Sequence, residues 1–232
     1  MYRKFLNARS PMRLLEKGLH GGLGIGNIGV VLAGHGVGKT PFLVGVALDE
    51  LLRGGSVMHV SLDQTVSHIR TYYDTVFETL VSSTHLEDAA VTHAEIDQNR
   101  SIRSYPQAGF SSSKLRQAVK IDSEAGTRPN LLILEGVDMD AIDWDEAMDI
   151  RALAEELAAE VWFSVAALEE KVTELPPALR RLEDVISVVL ALEPAGQDGD
   201  TVALRALKDH DNPDVSALHV ALDPKTLLLV RH

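Results

Sequence analysis

The apolar residues fall in short blocks, and their spacing changes from block to block. Residues 28–32, Ile-Gly-Val-Val-Leu, form a continuous run that predicts a short buried strand. Residues 42–52 predict a helix, and residues 57–62, Val-Met-His-Val-Ser-Leu, a second strand. Across residues 66–82 the apolar positions are Ile69, Tyr72, Tyr73, Val76, Phe77 and Leu80, the i, i+3, i+4 spacing of an amphipathic helix. Residues 131–134, Leu-Leu-Ile-Leu, are apolar throughout, as expected of a central parallel strand covered on both faces. Residues 145–159 predict an acidic helix with Ala147, Ile150, Leu153, Ala154 and Leu157 on its apolar side. Residues 161–167 and 185–192 read as further strands.

The remaining signals are weaker. Residues 10–17 suit a short helix ending at Gly18, and Ser111 can cap a helix running to Ala125. Residues 101–105 suit a strand, and Pro176-Pro177 sits in a loop. Residues 83–99 are polar, of mixed charge and only weakly helical, and no element is assigned to them. Residues 201–207 and 217–222 resemble a hairpin pair, with a last short strand at 226–230. Strands alternating with helices predict an α/β three-layer sandwich with a mostly parallel central sheet, extended by antiparallel C-terminal strands. The expected organisation is one domain over 1–232, with a helical lead-in at 1–20, a core at 21–192 and C-terminal strands at 193–232.

Composition narrows the class. A length of 232 residues with 45% hydrophobic residues suits one domain with a sizeable core. There is no cysteine, which removes disulfides and thiolate metal sites and fits a reducing cytoplasm. No apolar run approaches the roughly 20 residues that cross a bilayer. The segment from Met1 to Leu15 carries Arg3, Lys4, Arg9 and Arg13 and lacks the apolar centre of a secretory signal, so an amphipathic first helix is expected there, with a transit peptide as the alternative. A net charge of −12 argues against nonspecific nucleic-acid binding, which needs clustered Lys and Arg.

The chemistry concentrates at Ala33-Gly34-His35-Gly36-Val37-Gly38-Lys39-Thr40, between the first strand and the helix. This is the phosphate-binding loop pattern with Ala in place of its first Gly. Glycines let backbone N–H groups turn inward around a β-phosphate, and the helix N-terminus adds partial positive charge. Gly34, His35, Gly36, Val37, Gly38, Lys39, Thr40 and Pro41 are therefore the expected nucleotide-binding residues, with ATP and Mg²⁺ as the ligands. Lys39 can reach the β- and γ-phosphates, and the Thr40 hydroxyl can ligate Mg²⁺. Pro41 is tolerated because an N–H in the first helical turn has no intrahelical partner.

Hydrolysis needs further acids. Glu135 ends the Leu131-Leu132-Ile133-Leu134 run and can hold Mg²⁺ through water, or be a solvated charge at a strand end. Asp63 ends the second strand and can orient water, or cap the helix that begins near Thr65. Arg70 or Tyr73 could stack on a base, though both suit ordinary helix positions. His59 reads as a packed strand histidine, and His85 and His93 lack a third donor for a metal.

Residues 15–32, containing Gly21-Gly22-Leu23, resemble the lead-in of RecA-superfamily ATPases, especially the KaiC, RadA and DnaB-like branches. Ser61-Leu62-Asp63-Gln64 is similar to the stretch that carries the helicases' catalytic Glu, and Lys208-Asp209-His210 to a late Lys-x-Arg pair. The resemblance covers nearly the whole chain, with only the phosphate loop individually specific. It implies that Asp63, Lys39 and Lys208 are catalytic, Lys208 acting on a neighbouring protomer's γ-phosphate. His210 stands where the Arg would be and cannot offer a permanent charge or a bidentate fork. Residues 164–167, Ser-Val-Ala-Ala, read as lacking the family's polar sensor at the strand end.

The family's DNA-binding loops would here carry Asp138, Asp140, Asp143, Asp145 and Glu146, and then Glu169, Glu170 and Glu174 before Arg180 and Arg181. That charge predicts no strong DNA binding. The expected function is an ATP-binding, slow Mg-dependent ATPase or ATP-dependent switch that forms homo-oligomers. A small-molecule kinase and a catalytically degenerate nucleotide-binding scaffold are the alternatives. The kinase ranks second to the ATPase because some thirty residues precede the loop and no Arg-rich lid stands out.

Overall fold

A computed structural model describes residues 10–169, 171–195, 201–213, 215 and 218–231. Arg3, Lys4, Arg9, Glu170 and Ala217, which entered the sequence reading, lie outside the described residues. The elements run α1 (Met12–Gly18), β1 (Ile28–Ala33), α2 (Lys39–Leu52), β2 (Val57–Ser61), α3 (Val66–Thr84), α4 (Ala89–Asn99) and β3 (Arg100–Ser104). They continue with α5 (Ser112–Glu124), β4 (Leu131–Glu135), α6 (Trp144–Leu157), β5 (Glu160–Ala166), α7 (Pro177–Arg180), β6 (Ile186–Ala195), β7 (Thr201–Asp209), β8 (Val220–Leu222) and β9 (Leu229–Arg231).

One sheet carries all nine strands in the order β3-β2-β4-β5-β1-β6-β7-β8-β9. The strands β3 to β6 in that order are parallel, and β7, β8 and β9 each pair antiparallel with their predecessor. The α/β class, the mostly parallel sheet and the antiparallel C-terminal strands are therefore as the pattern predicts. Alternation along β1 explains the two-sided burial. Ile28, Val30 and Leu32 enter a core shared with α5 and α6, while Val31 and Ala33 enter one shared with α1, α2, α3 and α4. A strand buried on both faces must be apolar at every position, which is why β1 and β4 read as unbroken runs.

Three expectations need correction. Residues 89–99 form a helix, left unassigned because only Thr92 and Ile96 of it are buried and the periodic signal is faint. The pairing of residues 201–207 with 217–222 is present but short, β7 meeting β8 antiparallel at Val202↔Leu222 and Ala203↔Ala221, and the reading omits the longer antiparallel partner of β7, which is β6, from Val188↔Asp209 to Ala195↔Thr201. The Pro176-Pro177 segment, read as loop, starts the short helix α7, with Pro at the position that needs no N–H.

Local packing positions the site. Phe42 of α2 meets Trp162 of β5 edge to face, with ring centroids 6.1 Å apart. Gly29 leaves room for that indole. Full burial of Phe42 contributes roughly 1.5–3 kcal/mol, more than the roughly 1 kcal/mol that Gly45 costs inside the same helix. α2 is thus pinned to the sheet with its N-terminus directed to the end of β1.

Candidate functional site

The carboxyl ends of β1, β2, β4 and β5 meet at one edge of the sheet, because Ala33 is level with Ala166 and Ser61 with Glu135. The loop leaving β1 turns through Gly36 and Gly38, whose φ angles of 74° and 123° are positive. Gly38 is the N-cap of α2. Leu222 of β8 packs so closely on it that a Cβ there would lie 2.6 Å from the Leu222 side chain. His35 and Gly36 are exposed, and Pro41 is buried in the first turn of the helix.

Lys39 folds back over this loop. Its Nζ donates to the carbonyls of Ala33 at 3.0 Å and Gly34 at 2.9 Å. Burial lowers its pKa, while the negative charges of Glu135 and Asp63 act in the opposite direction. An ammonium group held by neutral carbonyls can exchange them for phosphate oxygens at little desolvation cost.

Glu135 closes β4 and is 3% exposed. Its Oε1 accepts a hydrogen bond from the Thr40 hydroxyl, joining residues 95 positions apart. Its Oε2 faces His59 Nε2 at 3.1 Å, and His59 Nδ1 faces the Tyr73 hydroxyl at 3.2 Å. Glu135 is therefore no solvated strand-end charge. His59 is packed, as expected from a strand position, but it also bonds the acid, a role no local pattern signals. Tyr73 is a core ring beneath it, and burial pushes its phenol pKa up, so it stays a donor. Arg70 is an exposed helix residue.

Asp63 lies just past β2, exposed, with Oδ1 accepting from the Ser61 hydroxyl at 3.1 Å. It is not the cap of α3: Thr65 is, accepting from the His68 N–H. The next strand adds a polar group within its span. Ser164 Oγ of β5 accepts from the Gly136 N–H at 3.0 Å and so holds the turn that follows Glu135.

Lys208 is not brought to this site. Its Nζ donates to the carbonyl of Glu183, ahead of β6 and away from the phosphate loop of the same chain. His210 turns inward as well, with Nδ1 on Asp209 at 2.8 Å and Nε2 donating to the Leu23 carbonyl at 3.0 Å. Arg181 donates to the carbonyls of Met139, Asp140 and Ile142, and Arg180 pairs with Glu174. Asp143 is spent on capping α6.

The donor set suits magnesium. Thr40 offers a hydroxyl and Glu135 a carboxylate in direct contact with it, both hard oxygen donors. Among the described residues there is no group of three or more His, Cys, Asp or Glu that could hold a metal. His93 meets only Asp74 and Asp97, at 3.4 and 3.7 Å. No protein-family profile matches the chain, and no curated protein matches it.

Proposed function

We propose that this protein binds ATP with Mg²⁺ at the loop from Gly34 to Pro41, and that it is a slow Mg-dependent ATPase or ATP-dependent switch of the RecA/KaiC-like kind. One observation carries the reading. Thr40 and Glu135 meet by hydrogen bond at the same strand edge where Lys39 overlies the glycine loop and Asp63 faces solvent. A glycine loop alone would need none of these acids.

The roles follow from the chemistry of each group. Backbone N–H groups of the loop and the N-terminus of α2 cradle the phosphates. Lys39 leaves the Ala33 and Gly34 carbonyls for the β- and γ-phosphates. Thr40 and, through water, Glu135 would hold Mg²⁺, which neutralises charge on the phosphate oxygens. Asp63 orients a water for attack on the γ-phosphorus and accepts its proton. A further cation is needed where charge builds on the γ-phosphate. Lys208 can supply it only to a neighbouring copy of the chain, so a homo-oligomer belongs to the reading. The inward turn of His210 leaves one cation where the resemblance implies two, which supports slow turnover and favours a nucleotide-binding scaffold as the second reading. The engagement of Arg181 with backbone carbonyls and the acidic loop around Asp138 and Asp140 support the absence of strong DNA binding.

The test is ATP turnover at several protein concentrations for the native chain, Lys39→Ala, Asp63→Ala and Lys208→Ala. Specific activity that rises with concentration and is lost in all three variants supports hydrolysis across a subunit boundary. ATP binding without turnover supports the switch or scaffold, turnover only with an added acceptor supports a kinase, and absence of Lys39-dependent ATP binding refutes the reading.

A further inference from the structure

We infer that His59 is a positioning residue for Glu135, fixing the carboxylate that organises Thr40 and the magnesium side of the site. This rests on the ATP reading above and extends it to a residue outside the loop. His59 is fully buried at the centre of β2, the strand that pairs with the Glu135-bearing β4. Both of its ring nitrogens are engaged, at 3.1 Å with Glu135 Oε2 and at 3.2 Å with the Tyr73 hydroxyl.

The carboxylate fixes the direction of the first bond. A carboxylate only accepts, so Nε2 carries the hydrogen and donates to Glu135. Nδ1 faces the Tyr73 hydroxyl, which anchors the other side of the ring. Tyr73 is fixed in turn, its ring edge-on to His59 with Arg100 4.5 Å over its face. On the far side of the acid, Oε1 takes the Thr40 hydroxyl. Each oxygen of Glu135 thus has one assigned donor, and the carboxylate has one orientation.

The need for such a clamp comes from the residue type. Glu has one more rotatable bond than Asp, so a Glu at a strand end does not place its oxygens by itself. A buried donor behind it removes that freedom, as outer partners of metal-organising groups commonly do. Without His59 the Oε2 atom would be left unpaired in the core, and Glu135 would turn from Thr40 to satisfy it.

The experiment compares two polar replacements of similar bulk. In His59→Gln the amide nitrogen falls near Nε2 and can still donate to Glu135. In His59→Asn the amide falls near Nδ1 and stops short of it. Binding of a fluorescent ATP analogue is followed by polarisation across a Mg²⁺ titration and again in EDTA, with thermal unfolding to establish that each variant is folded. The expected result is a Mg²⁺ half-saturation raised about tenfold in His59→Asn, within about twofold of the native chain in His59→Gln, and unchanged affinity in EDTA for both. Equal shifts in the two variants would mean packing alone, and no shift in His59→Asn would mean no clamp; either overturns the inference. If Asn does not fold, Tyr73→Phe, which frees the ring from its second hydrogen-bond partner, replaces it, and native half-saturation there overturns the inference. A native chain that binds no nucleotide overturns the ATP reading itself, and the inference with it.

Discussion

The carboxylate of Asp63 occupies the space that a side chain at Gly136 would need. A Cβ built on Gly136 would lie 2.6 and 2.7 Å from the two Asp63 oxygens, and Gly136 has a φ of 72°. The exposed acid at the end of β2 is thus seated against the turn that follows Glu135, and the turn is held by Ser164.

Under the proposed ATP reading, Gly136→Ala should therefore separate nucleotide binding from turnover. The positive φ costs about 1 kcal/mol for a residue with a Cβ. Asp63 can swing into solvent, so the fold survives. Nucleotide affinity should stay within about threefold while turnover falls at least tenfold, read from parallel binding and steady-state assays. Equal losses in both would show that the turn matters to the cradle rather than to Asp63.

Glu160, at the opposite end of the sheet, sets a pH dependence. Burial is the main cause that raises its pKa above the ordinary 4.5, and the Gly24 N–H at 3.0 Å only partly offsets it. A raised folded-state value means that the folded protein binds this proton more tightly than the unfolded chain. The stability that this group contributes is fully present below pH 4.5 and is lost as pH rises through the folded value. Glu160→Gln keeps an acceptor for Gly24 without the charge. It should stabilise by on the order of 1 kcal/mol at pH 7, with the gain shrinking towards pH 4, as measured by urea unfolding across that range.

Asp209 holds two histidines that have unusual backbones. It is 1% exposed, accepts from His20 at 2.6 Å and His210 at 2.8 Å, and both histidines have φ near 50°. Asp209→Asn would set an amide N–H₂ against a ring N–H and release the His210 bond to Leu23. The expected cost is about 2–4 kcal/mol. Hydrogen exchange should quicken at Gly21 to Gly24 well before the rest of the chain.

Two glycines should respond in opposite senses to alanine. At Gly29 a Cβ would lie 2.7 Å from two ring atoms of Trp162, so Gly29→Ala should cost about 1–3 kcal/mol by overpacking. At Gly45, inside α2, nothing lies within 4 Å, and Gly45→Ala should gain about 0.5–1 kcal/mol. Denaturant midpoints of the two variants, compared with the native chain, check both signs.

Local pattern was enough for β1, α2, β2, α3, β4 and β5, because each buries a continuous run or a clear stripe whose period is set by the element itself. The glycine loop between β1 and α2 was legible for the same reason. Its glycines, Lys39 and Thr40 are neighbours in the chain, and backbone conformation alone fixes their relation. α4 was missed because a helix resting on two buried residues has almost no period to read.

What the sequence determined by itself is an α/β chain with a glycine cradle between its first strand and second helix. What tertiary structure decided is which distant residues share that cradle's edge. The strand order puts β4 beside β2, and the register puts Glu135 level with Ser61, so Glu135 reaches Thr40 from 95 positions away and His59 lies behind it. The pairing of β4 with β5 sets Ser164 on Gly136, and the pairing of β6 with β7 carries Lys208 to the Glu183 carbonyl, with His210 turned to Leu23. Hydrogen bonds between strands join residues without regard to their separation along the chain. No periodicity in the sequence records them, and only the assembled sheet specifies them.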